Sequence, residues 1–405
     1  MRLEQLLLLE LSMETSSLVR SLVLVVLGAS LACGGDDDDT PGADASQTGV
    51  DAGSVDAGAD ASVEPPGWTV AFTKFPERQF KGQVFEGGAF LASDPTVIRD
   101  GDLYRMIYTC VTGADTGGLC EATSTDGIDW ELVTGDDPFI QGVVLHSRPG
   151  EWDENIETPA LLRTDDGYEL YYSGYLDLGK DGNRPGASLG LATSTDGETF
   201  VRAGDAPFLE PIPGAADGDD IFSAVPFRAG DALRMVYTAW CVPGYHDGLP
   251  CEGETGTSLA GASRDDVGAW TRQGEPVLAA RAEPSFMASG VAEPTMLVAD
   301  DGWFYLFFTG GLGAEPRMTG VARSQQPFGP WDIAPTAALD ADAGTFDACG
   351  AFAPTVLVED DTVRMWYLGL DDCDGACTSC EFETCGCEGR FSIGYAEAPW
   401  PLFRP

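Results

Sequence analysis

The sequence predicts an all-β fold, a five-bladed β-propeller with four-stranded antiparallel blades. Three observations support this prediction. One pattern of strands and turns occurs five times, the copies are almost evenly spaced, and 51 Gly and 26 Pro among 405 residues are typical of a chain rich in tight turns. Hydrophobic residues make up 43% of the chain, which is enough for a large core.

Each copy opens with an apolar strand, followed by an acidic or Gly turn and an aromatic-rich second strand. In the first copy this segment runs from Asp94 to Tyr108 as Asp-Pro-Thr-Val-Ile-Arg-Asp-Gly-Asp-Leu-Tyr-Arg-Met-Ile-Tyr. The openings lie 64, 65, 70 and 60 residues apart, at Pro95, Pro159, Ala224, Pro294 and Pro354. That spacing accommodates a four-stranded blade together with its loops.

A third strand and its hairpin turn also recur, as in Ala122-Thr-Ser-Thr-Asp-Gly-Ile-Asp-Trp130. An Asp-Gly pair favours a tight hairpin, and we expect Asp126 and Asp196 to cap these turns. An aromatic residue follows each turn, and we expect it to pack on the blade core rather than to bind a sugar. These aromatic residues are Trp130, Phe200, Trp270 and Trp331.

The fifth copy ends near Trp400, with too little chain left for an outer strand. The segment Trp68-Thr-Val-Ala-Phe-Thr-Lys-Phe75 resembles the chain that follows the turn in the other copies. We therefore predict that this N-terminal strand completes blade five. Such pairing closes the ring and removes its exposed edges.

The chain divides into three predicted parts. Residues 1–33 form a signal peptide whose apolar stretch is too short for a stable membrane span. Residues 34–66 form an acidic Asp/Ala/Gly linker that we expect to be disordered, and residues 67–405 form the propeller. The motif Ser30-Leu-Ala-Cys33-Gly34 resembles a bacterial lipobox, which implies lipidation of Cys33 and an outer-membrane lipoprotein. Secretion or periplasmic location without a lipid stays open.

The charge of the chain limits its partners. Lys and Arg number 22 against 66 Asp and Glu, so the net charge of -44 repels phosphate backbones and anionic lipid surfaces. We expect a monomer without a nucleic-acid partner, in contact with a membrane only through the lipid anchor. We expect no cofactor, although a structural cation in the central channel stays open.

Ten cysteines follow Cys33, and the alternating strand directions place all of them in long loops on the face where each blade's first strand begins, here called the top face. In an exported chain this even number predicts disulfides. The natural pairs are Cys110 with Cys120 and Cys241 with Cys251. Connectivity stays open for Cys349, Cys373, Cys377, Cys380, Cys385 and Cys387. Zinc binding at Cys377-Thr-Ser-Cys380 is the alternative, which a chain with two histidines does not favour.

The residue before each opening Pro or Ala should lie beside the central channel. These five ring residues are Asp94, Thr158, Ser223, Glu293 and Ala353, and Glu157 stands one place before Thr158. For each acid, capping of a strand start is the structural alternative to catalysis. Three aromatic residues of the top loops are candidates for stacking on sugar rings, or else pack against nearby disulfides: Trp240, Tyr175 and Tyr245.

The motif Ser93-Asp94-Pro95 in a five-bladed pattern resembles the arabinanase, β-xylosidase and invertase group of glycoside hydrolases, families 43 and 32. The resemblance covers about residues 80–400 in architecture. It implies an Asp of blade one as base or nucleophile, an Asp of blade two that stabilises the transition state, and a Glu of blade three as acid. Asp94 matches the first role. Blades two and three have Thr158 and Ser223 at these places, and Glu293 of blade four becomes the candidate acid.

The sequence thus predicts an exported, glycoside-hydrolase-like propeller that acts on or binds a polysaccharide or cell-surface glycan. Cleavage requires two carboxylates roughly 5 to 9.5 Å apart, one protonated by burial and one ionised. Blades three and four lie equally far around the ring from blade one, so Asp94 and Glu293 fit this requirement. The alternative is a non-catalytic surface propeller lipoprotein that binds glycan or protein.

Overall fold

A computed structural model describes residues 68–81, 92–111, 117–133, 142–176, 186–213, 215–241, 256–265, 268–312, 316–371 and 391–403. These residues form β-strands, turns and one short 3-10 helix at Ser285–Met287. Within the described ranges, no helix has the length and apolar character needed to cross a membrane.

The strands form five antiparallel sheets arranged as the blades of a propeller, which confirms the predicted fold class. Blade one contains β2 (Ser93–Asp100), β3 (Leu103–Val111), β4 (Gly117–Ser124) and β5 (Glu131–Leu132), and β6 (Val143–Leu145) pairs with β4. Blade two contains β7 (Asn155–Thr164), β8 (Gly167–Tyr175), β9 (Ser188–Ser194) and β10 (Val201–Arg202). Blade three contains β11 (Asp220–Ala229), β12 (Ala232–Cys241), β13 (Gly256–Arg264) and β14 (Trp270–Arg272). Blade four contains β15 (Ala292–Val298), β16 (Phe304–Gly310), β17 (Met318–Ser324) and β18 (Asp332–Ile333).

Blade five combines strands from both ends of the propeller. It contains β19 (Gly350–Glu359), β20 (Thr362–Leu370), β21 (Phe391–Pro399) and, as its outer strand, β1 (Thr73–Lys74). Thr73 pairs with Glu397, and the backbone N–H of Phe75 donates to the carbonyl of Tyr395 at 2.9 Å. The predicted closure of the ring by the N-terminal strand is therefore confirmed.

Each inner strand has a β-bulge at the same place. The strand register shifts around the ring residue in β2, β7, β11, β15 and β19. All five ring residues have left-handed backbone conformation, with φ of 50° at Asp94, 50° at Thr158, 51° at Ser223, 48° at Glu293 and 46° at Ala353. Since none of them is Gly, this conformation is strained and has to be held by its surroundings. The bulges bring five equivalent side chains to one axial ring.

A hydroxyl group on the second strand of four blades accepts a hydrogen bond from the next blade's ring residue. The pairs are Thr158 N to Thr109 Oγ1 (3.0 Å), Ser223 N to Ser173 Oγ (3.1 Å), Glu293 N to Thr238 Oγ1 (2.8 Å) and Ala353 N to Thr309 Oγ1 (3.0 Å). In blade five the corresponding residue is Leu368, opposite Phe352, and its side chain has no acceptor. The four links satisfy buried amides and hold the bulges in place.

Three blades carry a buried Asp bonded to a Tyr of the second strand and to a basic residue of the outer strand. These sets are Asp153 with Tyr172 (3.2 Å) and Arg202 (2.5 Å), Asp217 with Tyr237 (3.0 Å) and Arg272 (2.7 Å), and Asp347 with Tyr367 (3.0 Å) and Lys74 (2.7 Å). The third set ties the N-terminal strand to the connection between blades four and five.

The aromatic residues after the third-strand turns pack between neighbouring blades. Trp130 contacts Trp366 of blade five with ring centroids 6.3 Å apart, and Trp270 contacts Tyr171 of blade two at 6.1 Å. Asp126 accepts hydrogen bonds from the backbone N–H groups of Ile128 (2.8 Å) and Asp129 (2.9 Å). The predicted packing role of the aromatic residues and the capping role of Asp126 are both confirmed.

The predicted disulfide between Cys110 and Cys120 is present, with Cα atoms 5.9 Å apart. The placement of these cysteines in a loop is wrong, because they lie within β3 and β4, which extend farther toward the top face than expected. Cys241, at the end of β12, and Cys349, just before β19, are also disulfide-bonded. The remaining cysteines lie outside the described residues: Cys33, Cys251, Cys373, Cys377, Cys380, Cys385 and Cys387. Their pairing stays a prediction.

Candidate functional site

The five ring residues line one cavity on the propeller axis. Its volume is about 160 Å³, and its wall is formed by the inner strands of all five blades. Two carboxyl groups face it, from Asp94 in blade one and Glu293 in blade four. Thr158, Ser223 and Ala353 complete the ring without a carboxyl group.

Asp94 lies deep in the ring but keeps a partly exposed surface toward the channel. Its Oδ2 accepts hydrogen bonds from Ser93 Oγ at 2.9 Å and Thr109 Oγ1 at 3.2 Å. Burial raises the pKa of Asp94, whereas the two hydroxyl donors and the positive charge of Arg317 lower it. Burial is the largest of these effects, so the pKa of Asp94 lies above its ordinary value, and the donors and Arg317 limit that rise.

Glu293 is more enclosed, with 6% of its surface exposed. Its Oε2 accepts a hydrogen bond from Thr309 Oγ1 at 2.7 Å. Burial, together with the negative charge of Asp94, raises the pKa of Glu293 to about 7, against the opposing effects of Arg317 and Thr309. Glu293 thus holds a proton under conditions in which an ordinary Glu is ionised.

Arg317 is a site residue that the sequence did not indicate. It directly precedes β17, is 4% exposed, and its guanidinium lies 5.0 Å from the ring centre of Phe352. The backbone N–H of Arg317 donates to the carbonyl of Cys349 at 3.1 Å, which fixes it between blades four and five. Its positive charge lowers the pKa of both Asp94 and Glu293.

The two carboxyl groups of Asp94 and Glu293 lie in different environments. One has two hydroxyl donors and channel access, and the other is buried and influenced by the charge of the first. Burial raises the pKa of both groups, and the charge of Asp94 raises that of Glu293 further, so Glu293 can act as proton donor and Asp94 as proton acceptor in a single site.

Glu157 is buried in β7 but is not among the residues that line the cavity. The bulge places Thr158 at the axis, while Glu157, one residue earlier, is paired with Ser173 of the neighbouring strand. The structure therefore does not bring Glu157 together with Asp94 and Glu293. Asp220, at the start of β11, does not line the cavity either, and its Oδ1 accepts a hydrogen bond from the backbone N–H of Ala187 at 2.6 Å.

The aromatic candidates do not form a sugar-binding surface among the described residues. Trp240 and Tyr175 are 2% and 3% exposed, so neither ring presents a face for stacking. Both residues lie at the ends of strands that extend farther than predicted, in β12 and β8. Tyr245 lies outside the described residues.

Metal ligands are not grouped in the part of the chain that the structure describes. No cluster of three or more His, Cys, Asp or Glu side chains there could hold a metal ion. At the axis, the two carboxylates share their surroundings with the cationic Arg317, which disfavours a cation between them.

Solved structures share this fold. A glycoside hydrolase is 18% identical with a TM-score of 0.59, over 80% of this chain and 92% of the hydrolase. An α-L-arabinanase from Cellvibrio cellulosa, complexed with arabinohexaose, is 13% identical with a TM-score of 0.51, over 75% of this chain and 90% of the arabinanase. A family-32 β-fructofuranosidase from Bombyx mori is 14% identical with a TM-score of 0.54, over 80% of this chain and 62% of that enzyme.

These comparisons confirm the structural resemblance to the five-bladed propellers of glycoside hydrolase families 43 and 32. At such low identity, the likeness establishes the fold. No family model and no curated protein sequence matches the chain.

Proposed function

We propose that this protein hydrolyses glycosidic bonds of a polysaccharide or glycan, with Asp94 and Glu293 as the reacting carboxyl groups. The observation that carries the proposal is their convergence on one axial cavity with unequal environments. Glycosidic hydrolysis needs such a pair around an oxocarbenium-like transition state. Structures with the same fold include a glycoside hydrolase and an arabinanase, which supports carbohydrate as the substrate class.

The environments of the two groups support different roles. Glu293, with its pKa raised to about 7, is the general acid that protonates the departing glycosidic oxygen. Asp94, stabilised by the hydroxyl donors Ser93 and Thr109, is the ionised partner. It acts as base toward water or as nucleophile, and the anomeric configuration of the first product distinguishes these two roles.

Hydrolysis of aryl glycosides tests the proposal. The wild-type chain should release the aryl group from at least one pentose or fructose substrate, and Asp94→Asn should lower kcat/KM by about a hundredfold or more. Asp165→Asn, at an exposed turn, is the matched control and should leave the rate unchanged. Absence of activity across pentose and fructose substrates would overturn the hydrolase proposal.

A non-catalytic binding role is the second candidate. It is favoured by one observation, that blades two, three and five bring no carboxyl group to the ring. If binding is the function, a double variant with Asp94→Asn and Glu293→Gln retains glycan affinity, and the wild type shows no turnover.

Export through a lipid anchor belongs to the same proposal. Its support is the short apolar leader and the lipobox-like motif at Cys33, followed by the acidic linker. Labelling with a fatty-acid analogue in a bacterial host should mark the wild-type chain and leave Cys33→Ser unmarked. Equal labelling of both chains, or none of either, would contradict lipidation.

A further inference from the structure

Blades two and three bring hydroxyl groups to the axial cavity. Thr158 Oγ1 and Ser173 Oγ lie 2.5 Å apart, and the backbone N–H of Ser223 donates to them at 3.2 and 3.1 Å. The hydroxyl groups of Thr158 and Ser173 are therefore hydrogen-bond partners of each other. None of these contacts involves the hydroxyl group of Ser223.

Ser223 lines the cavity and is 8% exposed, yet its Oγ has no hydrogen-bond partner among the described residues. An unpartnered buried hydroxyl lowers the stability of the folded chain. Alanine occupies the equivalent ring position in blade five, at Ala353, with nearly the same backbone conformation. Folding therefore gives no reason for a hydroxyl group here, whereas a bound molecule would supply the missing partner.

We propose that Ser223 is a specificity-determining residue whose hydroxyl exchanges hydrogen bonds with a hydroxyl group of a neutral sugar. The sugar lies in the axial site between Ser223 on one side and the carboxyl groups of Asp94 and Glu293 on the other. The proposal rests on the proposed function for its ligand class, carbohydrate, but requires binding alone and not hydrolysis.

The charges of the site select a neutral sugar over an acidic one. Asp94 and Glu293 both face the cavity, Arg317 is the cation that acts on both, and the whole chain carries a net charge of -44. A sugar carboxylate would lose its hydration in the cavity and meet the ionised Asp94 within a strongly acidic protein. A neutral sugar instead offers hydroxyl groups that donate to the ionised Asp94, accept from the protonated Glu293 and pair with Ser223.

Equilibrium binding tests this inference. Calorimetric titrations with D-xylose, L-arabinose, D-fructose and D-galacturonate compare the wild type with Ser223→Ala and Ser392→Ala. Ser392 is the matched control, since its Oγ is also buried without a partner among the described residues but does not line the cavity. Ser223→Ala should weaken binding of a neutral sugar about three- to tenfold, and Ser392→Ala should not change it.

The melting temperatures of the two variants and the preference for neutral over acidic sugars provide two further tests. Both variants should melt at or above the wild-type temperature, because each loses an unsatisfied hydroxyl. The wild type should bind at least one neutral sugar more tightly than D-galacturonate. Equal affinity of Ser223→Ala and wild type, preference for galacturonate, or no binding of any neutral sugar would each overturn the inference.

The experiments distinguish a refutation of the hydrolase proposal from a refutation of the proposed role of Ser223. The titrations use free monosaccharides, which have no glycosidic bond to hydrolyse, so they report binding without any contribution from turnover. If the chain shows no hydrolytic activity but binds a neutral sugar in a way that depends on Ser223, the sugar site is supported and only the catalytic proposal is refuted.

Discussion

The carboxyl group of Glu293 is buried beside Thr309, and burial makes its charged form unfavourable. Below a pH of about 4.5 the group is protonated in both the folded and the unfolded chain. As pH rises through about 7, the folded chain has to ionise it in the ring, and the stability associated with the neutral form is lost. A functional acid at this place therefore lowers stability under neutral and alkaline conditions.

Replacing this acid should stabilise the fold at high pH. Glu293→Gln is expected to raise the melting temperature by a few degrees at pH 8 and to change it little at pH 4, as thermal unfolding would show. Glu275→Gln, at an exposed turn, is the control. A lower melting temperature of Glu293→Gln at pH 8 would contradict the raised pKa.

Arg317 should control the pH dependence of turnover. Activity is expected to need ionised Asp94 and protonated Glu293, and therefore to fall as pH rises through about 7. Arg317 lowers the pKa of both groups, so Arg317→Gln should move both limbs of the kcat/KM profile to higher pH. Arg317→Lys keeps the charge and should hold the limbs near their wild-type positions. Reduced activity without any shift of the limbs would reveal a purely structural role.

Individual site residues were predictable only where they repeat with the blades. Asp94 and Glu293 precede an opening proline, so the repeat located them. Glu157, one place before the ring position, does not line the cavity, because a one-residue bulge decides which side chain faces the axis. The unpartnered hydroxyl of Ser223 depends on its neighbours in three dimensions and leaves no mark in the sequence.

At the scale of the strands, the links between blades depend on hydroxyl groups of the second strand. Thr238 accepts from the backbone N–H of Glu293 at 2.8 Å. Thr238→Val keeps the side-chain shape but leaves this buried amide without its acceptor, which should cost about 1–3 kcal/mol in the free energy of unfolding.

Denaturant unfolding measures this cost. Thr271→Val, on an exposed position of β14, is the matched control and should unfold within about 0.5 kcal/mol of the wild type. Equal stability of Thr238→Val and wild type would show that the link between blades three and four is dispensable.

The strands themselves were largely predictable, because each blade repeats an apolar strand, a turn and an aromatic-rich strand within a short stretch of chain. The Asp-Gly turns and the N-terminal closing strand followed from the same pattern. Strand lengths at the top face were not predictable. Cys110 and Cys120 were expected in a loop and lie in strands, since pairing there is favoured by tertiary contacts that the local sequence does not specify.

At the scale of the whole ring, closure depends on the contact of Lys74 with Asp347. The Nζ of Lys74 lies 2.7 Å from Oδ2 of Asp347, which is 1% exposed. Lys74→Met leaves this buried carboxylate without its cation, which should cost on the order of 3 kcal/mol. Hydrogen exchange should then speed up in residues 68–81 before the other blades.

The equivalent change in blade three is the control for this prediction. Arg272→Met disturbs the contact with Asp217 at 2.7 Å but leaves the N-terminal strand in place. It should lower stability without selective exchange at residues 68–81. Identical exchange patterns of the two variants would argue that Lys74 has no special part in closure.

The position of Arg317 shows why the sequence alone did not identify every residue that acts at the axis. Arg317 comes from the chain just before β17 of blade four, packs on Phe352 of blade five and acts on Asp94 of blade one. Such a residue lies outside every repeated segment. Its role arises only when the ring closes and brings three blades to one axis.

The dependence of hydrolysis on the leaving group tests the paired-carboxylate account most directly. With an aryl glycoside, whose leaving group needs little protonation, Glu293→Gln should retain much of its kcat, whereas Asp94→Asn should lose about a hundredfold or more. With an oligosaccharide of the same sugar, both variants should lose about a hundredfold or more. Equal losses of Glu293→Gln on both substrates, or full activity of Asp94→Asn on either, would contradict the account.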